Sequence, residues 1–316
     1  MQTTLTIDQV LCEFLSNQDI NQRSHRTYEY ALKSYFRWNA ANGKDNRNLN
    51  YPDLLQWKEY LLNNRKLTTA CSYLTIVKKF WSWCEMKSYS PDIARLIKLP
   101  KRYKGFKKRP ISVDQVATLF NSVDLKTIQG IRDLAILHLL AARGVRLIEV
   151  SRMNVSDVFK MDNQVCLKLQ RKGKKEKDDF IVITGGIHQL IENYLDQRPE
   201  LNPDEPIFIS HSRYNVGQKL TPQGLSTIIK EYLIKANIKQ SDITAHSLRH
   251  TAAVTLITNG FGIYDAAKLL GHSKSEITEL YTKYADDTIK LTNKAGKFLD
   301  KIYSKNEFLE VKHELS

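Results

Sequence analysis

The chain has 316 residues, 42% of them hydrophobic, and a formal net charge of +14 from 48 Lys and Arg against 34 Asp and Glu. That length exceeds what one core commonly holds and favours two domains. There is no apolar run of about eighteen residues and no basic-then-apolar leader, so neither a membrane nor an export route is indicated, and the expected location is the cytoplasm.

The four cysteines, Cys12, Cys71, Cys84 and Cys166, form no CxxC pair. Neither a zinc site nor a disulfide framework is expected, and they read as reduced, packed thiols. Charge is concentrated at the front: residues 1–110 carry 20 Lys and Arg against 9 Asp and Glu, whereas residues 111–316 carry 28 against 25. Such a basic third favours a polyanion partner, with nucleic acid ahead of an acidic membrane surface.

Apolar residues recur at three and four in Tyr28, Ala31, Leu32, Tyr35 and Phe36, and again in Tyr73, Ile76, Val77, Phe80 and Trp81. The period predicts four or five helices by about residue 98, with these stripes as core. Ser24 is a candidate cap for the second helix and Thr68 or Thr69 for the fourth, with Asn42-Gly43 and Tyr51-Pro52 punctuating the loop between. Lys33, Arg37, Lys78 and Lys79 interleave with Tyr and Trp on these helices, a mixture that suits phosphate contact as well as a solvated face.

Residues 99–110 carry six Lys and Arg, no acid and no amphipathic period, and hold Pro100 and Pro110. A basic interdomain linker over 100–110 is the reading, and Arg102, Lys107, Lys108 and Arg109 on it are candidate DNA contacts. Ser112-Val113-Asp114-Gln115 then offers a helix cap, and residues 131–142 are apolar on nearly every face, as a buried central helix would be. His138 within it reads as a core histidine. The helix stops at Arg143-Gly144, and Arg146 and Glu149 share a face if a new helix starts near Leu147, as a structural ion pair or as functional groups.

Residues 164–169 and 180–183 alternate like strands, joined by the basic stretch Arg171-Lys172-Gly173-Lys174-Lys175-Glu176-Lys177. A Lys on such a hairpin tip can reach into a groove and protonate a leaving oxygen, though a charged turn is commonly only a solvated loop. A shift of register would exchange Lys172 with Lys174 or Lys175. Pro206-Ile207-Phe208-Ile209 is expected to add a short strand, and residues 221–225 open another helix.

His246-Ser247-Leu248-Arg249-His250-Thr251 follows, then Leu270-Gly271-His272 and Tyr281. Imidazoles, a guanidinium and a phenol gathered in one stretch are groups that can attack a phosphodiester and stabilise its transition state without a metal. With Arg146 in a GVRxxE setting and Lys172 in the basic hairpin, the chain resembles the tyrosine recombinases, or phage integrase family. Motifs carry the resemblance from about residue 111 to 297, and the basic helical front resembles the family's core-binding domain by character.

That resemblance implies a mainly α chain with a small antiparallel β-sheet. Its parts would be a SAM-like helical DNA-binding domain over 1–99, the linker over 100–110, an α+β catalytic domain over 111–297 and a tail over 298–316, the domains forming a C-shaped DNA clamp. It implies Tyr281 as nucleophile, Arg146 and Arg249 on the non-bridging oxygens, and His272 donating to the same charge. Lys172 would be general acid and His246 base or positioner, with Glu149 and His250 in support; neither metal nor cofactor is expected. Tyr284 is the competing nucleophile. Two positions depart from the family's pattern: Arg143 stands where a small or hydroxyl residue is usual, and Arg171 where Gly is frequent.

The implied reaction is site-specific strand exchange on duplex DNA with inverted-repeat core sites. It would run through a 3′-phosphotyrosyl link and a Holliday junction in a DNA-bound tetramer, with accessory DNA-bending proteins or a second recombinase as further partners. The apolar stripe Ile289, Leu291, Ala295, Phe298, Leu299 and Ile302 reads as one helical face, which a monomer would pack onto itself; the resemblance implies instead a helix exchanged between protomers. With no arm-binding module before the first helix, the architecture is expected to be close to Xer-like or mobile-element-encoded members. A monomeric type IB topoisomerase and a DNA-binding regulator without catalysis are the alternatives.

Overall fold

In the computed structural model, residues 6–101, 108–198 and 201–271 are described, together with Tyr281 and Asp286. The chain divides into two compact units, Met1–Lys104 and Gly105–Ser316, the division falling inside the basic stretch read as a linker.

The first unit holds α1 (Ile7–Ser16), α2 (Gln22–Ala41), α3 (Tyr51–Asn64) and α4 (Leu67–Met86). Caps define the first three: Thr6 and Gln9 form a reciprocal capping box on α1, and Asn50 and Asp53 form another on α3. Asn21, not Ser24, caps α2, because the Asn21 side chain accepts the Ser24 N–H at 2.9 Å. Tyr51 and Pro52 open α3 instead of punctuating a loop, since proline at the first turn loses no helical bond. Neither Thr68 nor Thr69 caps α4, which begins after Lys66 with no side-chain cap.

Between these helices lies an aromatic core, with Tyr35 against Trp57 at 4.8 Å between ring centres and Phe14 against Phe80 at 5.4 Å. Edge-to-face pairs of this kind each contribute roughly 0.5–1.5 kcal/mol beyond their buried area. Cys71 and Cys84 pack in this unit as expected; Cys12 does not, because it lies on the exposed face of α1.

The second unit begins with α5 (Val113–Asn121), capped by Ser112 and Gln115, and the buried α6 (Ile128–Arg143). Gly144 ends α6 at φ +60, a left-handed cap where a Cβ would come within 2.5 Å of Leu270. After α7 (Leu147–Val150) comes an antiparallel sheet of β1 (Val158–Met161), β2 (Gln164–Leu169) and β3 (Asp179–Val182), in that order. Strand β1 was not among the expected elements; it turns into β2 through Asp162 and Asn163, both at positive φ. The segment 206–209 makes only isolated bridges, Asn154 with Pro206 and Ile209 with Lys219, instead of the expected strand. Four further helices follow among the described residues: α8 (Gly185–Leu195), α9 (Pro222–Lys235), α10 (Ala245–Thr258) and α11 (Ile263–Leu270). The chain is thus mainly helical with one small antiparallel sheet. No helix among the described residues is long and apolar enough to cross a membrane.

Candidate active site

Helix α10 carries His246, Arg249 and His250 at i, i+3 and i+4, a spacing that puts all three side chains on one face. Arg249 is 1% exposed, and its guanidinium donates to Gly144 O at the end of α6 and to Leu270 O, at 2.5 Å, at the end of α11. Both acceptors are carbonyls at helix C-termini, where the backbone leaves oxygens unpaired and the dipole is negative. One side chain thereby joins three helices. Burial, then the nearby Arg146, lowers its pKa to about 9, which leaves it cationic at neutral pH.

Arg146 stands immediately before α7, 23% exposed, with one Nη 2.8 Å from Glu149 Oε1. The Arg146 backbone N–H donates to the other Glu149 oxygen at 2.8 Å. Glu149, fully buried, therefore fixes both the main chain and the side chain of Arg146. Among the described contacts, Glu149 takes one N–H of the Arg146 guanidinium, and the other four have no partner there.

Tyr281 packs, 1% exposed, in a cluster with Ala253, Val254, Ala266 and Leu270. Its hydroxyl lies 2.7 Å from His250 Nδ1, and the rings of His250 and His246 meet edge to face at 4.5 Å. The imidazole that touches the phenol is thus His250, while His246 is one ring further out and open to solvent. Burial raises the Tyr281 pKa to about 12 against the opposing pull of Arg249 and Arg146. Desolvation first, then Arg249, Arg146 and Lys172, hold the His246 pKa below its ordinary value, so the ring is neutral at pH 7.

Lys172 occupies the exposed hairpin tip, close enough to act on His246. Of the two competing hairpin residues, Lys174 pairs with Asp178 at 3.1 Å and Lys175 is exposed; further along, Lys177 pairs with Asp157. Arg143 turns toward the sheet, donating to Val182 O at 2.9 Å. His272 and Tyr284 lie outside the described residues, as do Arg102, Lys107 and the stripe over 289–302. One participant that motif reasoning passed over is Arg171, whose guanidinium touches both Glu149 and Asp179.

The basic residues proposed for DNA contact have distinct surroundings. Lys33 and Arg37 line an open groove of about 570 Å³ with Arg26, Tyr30 and Trp38, although Lys33 also pairs with Glu29 at 2.7 Å. Lys79 is exposed, 2.9 Å from the Tyr28 hydroxyl. Lys78 donates to the carbonyls of Ala94, Arg95 and Ile97 at 2.8–3.1 Å, so its ammonium holds the fold and has no proton left for a phosphate. Lys108 donates to Ser241 O at 2.7 Å, and Arg109 pairs with Asp242 at 2.9 Å.

Residues 109–288 match the phage integrase family. A tyrosine recombinase XerD from Staphylococcus epidermidis is 30% identical over 269 residues, covering 75% of this chain and 87% of the relative. This chain belongs to the phage integrase family. It is a Xer-like tyrosine recombinase, of the class of enzymes that cleave and rejoin DNA at specific sites. Among solved structures, the XerH site-specific recombinase bound to palindromic difH substrate matches with TM-score 0.71 at 15% identity, covering 89% of this chain and 82% of that one. A lambda integrase tetramer bound to a Holliday junction matches with TM-score 0.65 at 12% identity, covering 88% and 75%. Those two likenesses establish the shared fold.

Proposed function

We propose that Tyr281 of this recombinase attacks a scissile phosphate in duplex DNA and that Arg146 and Arg249 hold the non-bridging oxygens. The observation that carries this reading is the Tyr281 hydroxyl 2.7 Å from His250, with His246 against that ring and the charges of Arg249 and Arg146 near enough to act on the phenol. In the reaction the phenolic oxygen forms a bond to phosphorus, and its proton passes to the imidazole of His250 beside it. The bond to the 5′-oxygen breaks, and that oxygen leaves with its electron pair and takes a proton from Lys172. The products are a 3′-phosphotyrosyl link and a free 5′-hydroxyl. Bond energy is retained in the ester, so rejoining needs no nucleotide.

Charge on the phosphoryl oxygens is met by fork-shaped donors that are already in place, the arrangement that stabilises such transition states most. Among the described contacts, Arg249 keeps three of its five N–H beyond the two bonded to carbonyls, and Arg146 keeps four. Tyr281 is buried against His250, so duplex binding must draw the phenol outward before attack.

Pairs of such cleavages on inverted-repeat core sites, within a tetramer of this chain, would exchange strands through a Holliday junction; the lambda integrase neighbour is a tetramer on that junction. Accessory DNA-bending proteins or a second recombinase fit the same scheme. Strand exchange is favoured over nicking and closing by a lone topoisomerase because the XerD relative aligned over most of its length is a recombinase. Covalent trapping tests the reading. Nicked suicide duplexes drawn from the sequence flanking the gene are incubated with the chain in EDTA, and adducts are separated in denaturing gels. The parent chain forms an adduct and Tyr281→Phe forms none; an adduct of undiminished yield with Tyr281→Phe overturns the assignment.

A further inference from the structure

The β2–β3 hairpin contains a buried charge that this mechanism leaves without a role. Arg171 lies two residues past the end of β2, and its side chain turns inward, only 11% exposed. Its Nε donates to Asp179 Oδ2 at 2.6 Å, and one Nη reaches Glu149 Oε2 at 3.4 Å. Asp179 is itself held, because its Oδ1 accepts the Phe180 N–H at 2.8 Å and its backbone pairs with Leu169 across the sheet. On the other side the guanidinium lies against Gly271, where a Cβ would come within 2.6 Å of its central carbon. Three pieces of chain therefore meet at Arg171: the hairpin, the carboxylate that orients Arg146, and the residue before His272.

We infer that Arg171 is a positioning residue for strand cleavage, fastening the hairpin to Glu149 so that Lys172 is delivered to the leaving 5′-oxygen. The inference rests on the reading of Lys172 as proton donor. Adjacent Cα atoms are 3.8 Å apart, so anchoring Arg171 restricts where the Lys172 side chain starts while its long stem still reaches outward. The loop is closed on itself independently: Gln170 donates to the carbonyls of Lys174 and Lys175 at 3.0 and 2.8 Å, and Lys174 N–H donates to Arg171 O at 3.0 Å. Its far limb is tied to Asp157 through Lys177. Among the described contacts, the near limb reaches the catalytic cluster through Arg171. Glu149 thus serves two guanidiniums at once, which couples the proton donor's placement to that of Arg146.

The test is single-turnover cleavage of the trapped duplex, made either with ordinary phosphate or with sulfur in place of the scissile 5′-oxygen. A departing thiolate needs no proton, so a defect confined to proton delivery disappears on the sulfur substrate. Arg171→Ala is expected to cut the ordinary duplex on the order of 10²-fold more slowly, the usual consequence of misplacing a catalytic group by about 1 Å. Asp179→Asn, at the hairpin surface, is expected to show a smaller loss and guards against failure of Arg171→Ala to fold; Arg171→Lys restores part of the rate. Both Arg171→Ala and Lys172→Ala are expected to recover near the parent rate on sulfur, with DNA affinity little changed.

Recovery by Lys172→Ala while Arg171→Ala and Asp179→Asn stay slow would make Arg171 merely structural and overturn the inference, as would a parental rate for Arg171→Ala on the ordinary duplex. Recovery by Arg171→Ala alone would make Arg171 the donor itself and also overturn it. If neither variant recovers, the reading of Lys172 has failed and the inference falls with it.

Discussion

The two units bury different chemistry. In Met1–Lys104 the interior is aromatic and aliphatic, and among its described residues Asn39 is the one buried polar side chain. Gly105–Ser316 buries Arg132, Asp133, Glu149, Asp157, Arg249 and His250. A buried charge costs several kcal/mol unless it is paired, so the pairing of each shows what it is for. Arg132 is closed off: Asp133 takes its Nε at 2.7 Å, Ile209 O takes an Nη at 2.8 Å, and Tyr232 completes Asp133 at 3.1 Å. Among the described residues, Arg249 has only neutral carbonyls as hydrogen-bond partners, and Arg146 shares one carboxylate with Arg171. The first arrangement is frame; the second retains positive charge for an anion.

The sharpest way to break this contrast is a pair of truncations, one in each unit. Arg249→Ala should lower single-turnover cleavage by about 10²–10³-fold, as loss of one transition-state donor does. It should also destabilise the second unit by about 1–3 kcal/mol for each carbonyl left buried and unpaired. Trp57→Ala should cost about 3–5 kcal/mol in urea unfolding through its cavity, yet leave the cleavage rate at saturating DNA near that of the parent while folded. Equal kinetic losses in both variants would erase the distinction.

A pH titration of stability sharpens the contrast at intermediate scale. Partial burial lowers the pKa of His138 and His211 in the second unit below the ordinary value near 6.5. The unfolded chain therefore binds protons that the folded unit refuses, and stability that is full above pH 6.5 falls as pH drops below it. Melting followed by a probe in the second unit should show this decline; a flat profile between pH 7 and pH 5.5 would contradict the burial of these rings.

The smallest effects separate two adjacent lysines of the first unit. Lys78→Gln should lose about 1.5–3 kcal/mol of stability with its charged hydrogen bonds and leave the salt dependence of DNA binding unchanged. Lys79→Gln should stay within about 0.5 kcal/mol in stability but lower the salt slope by about 1 if Lys79 meets a phosphate. Anisotropy titrations over a salt series, with melts of both variants, distinguish the two roles.

Much of the site was legible in order of residues because its chemistry is local: His246, Arg249 and His250 meet on one helix face by spacing alone, and Gly144 ends α6 where the Arg146 motif begins. What was not legible depends on contacts between distant segments. His250, not His246, meets Tyr281, because α10 and the chain at 281 approach in a way no spacing encodes. Lys78 looked like its neighbour Lys79 until the turn over 94–97 folded its carbonyls onto one ammonium. Strand β1 escaped because its four residues do not alternate between buried and exposed positions, though the Asp162-Asn163 turn ahead of β2 was a usable signal. Arg171 was visible only as a departure from pattern; its meaning came from Glu149, twenty-two residues away in sequence.

The central claim is that the phenol buried beside His250 is the atom that joins DNA. Digesting the trapped adduct with protease and nuclease and sequencing the modified peptide by mass spectrometry tests it directly. A nucleotide attached through a 3′-phosphate to Tyr281 is the expected result; the same adduct on Tyr284, or on any other residue, would contradict the assignment.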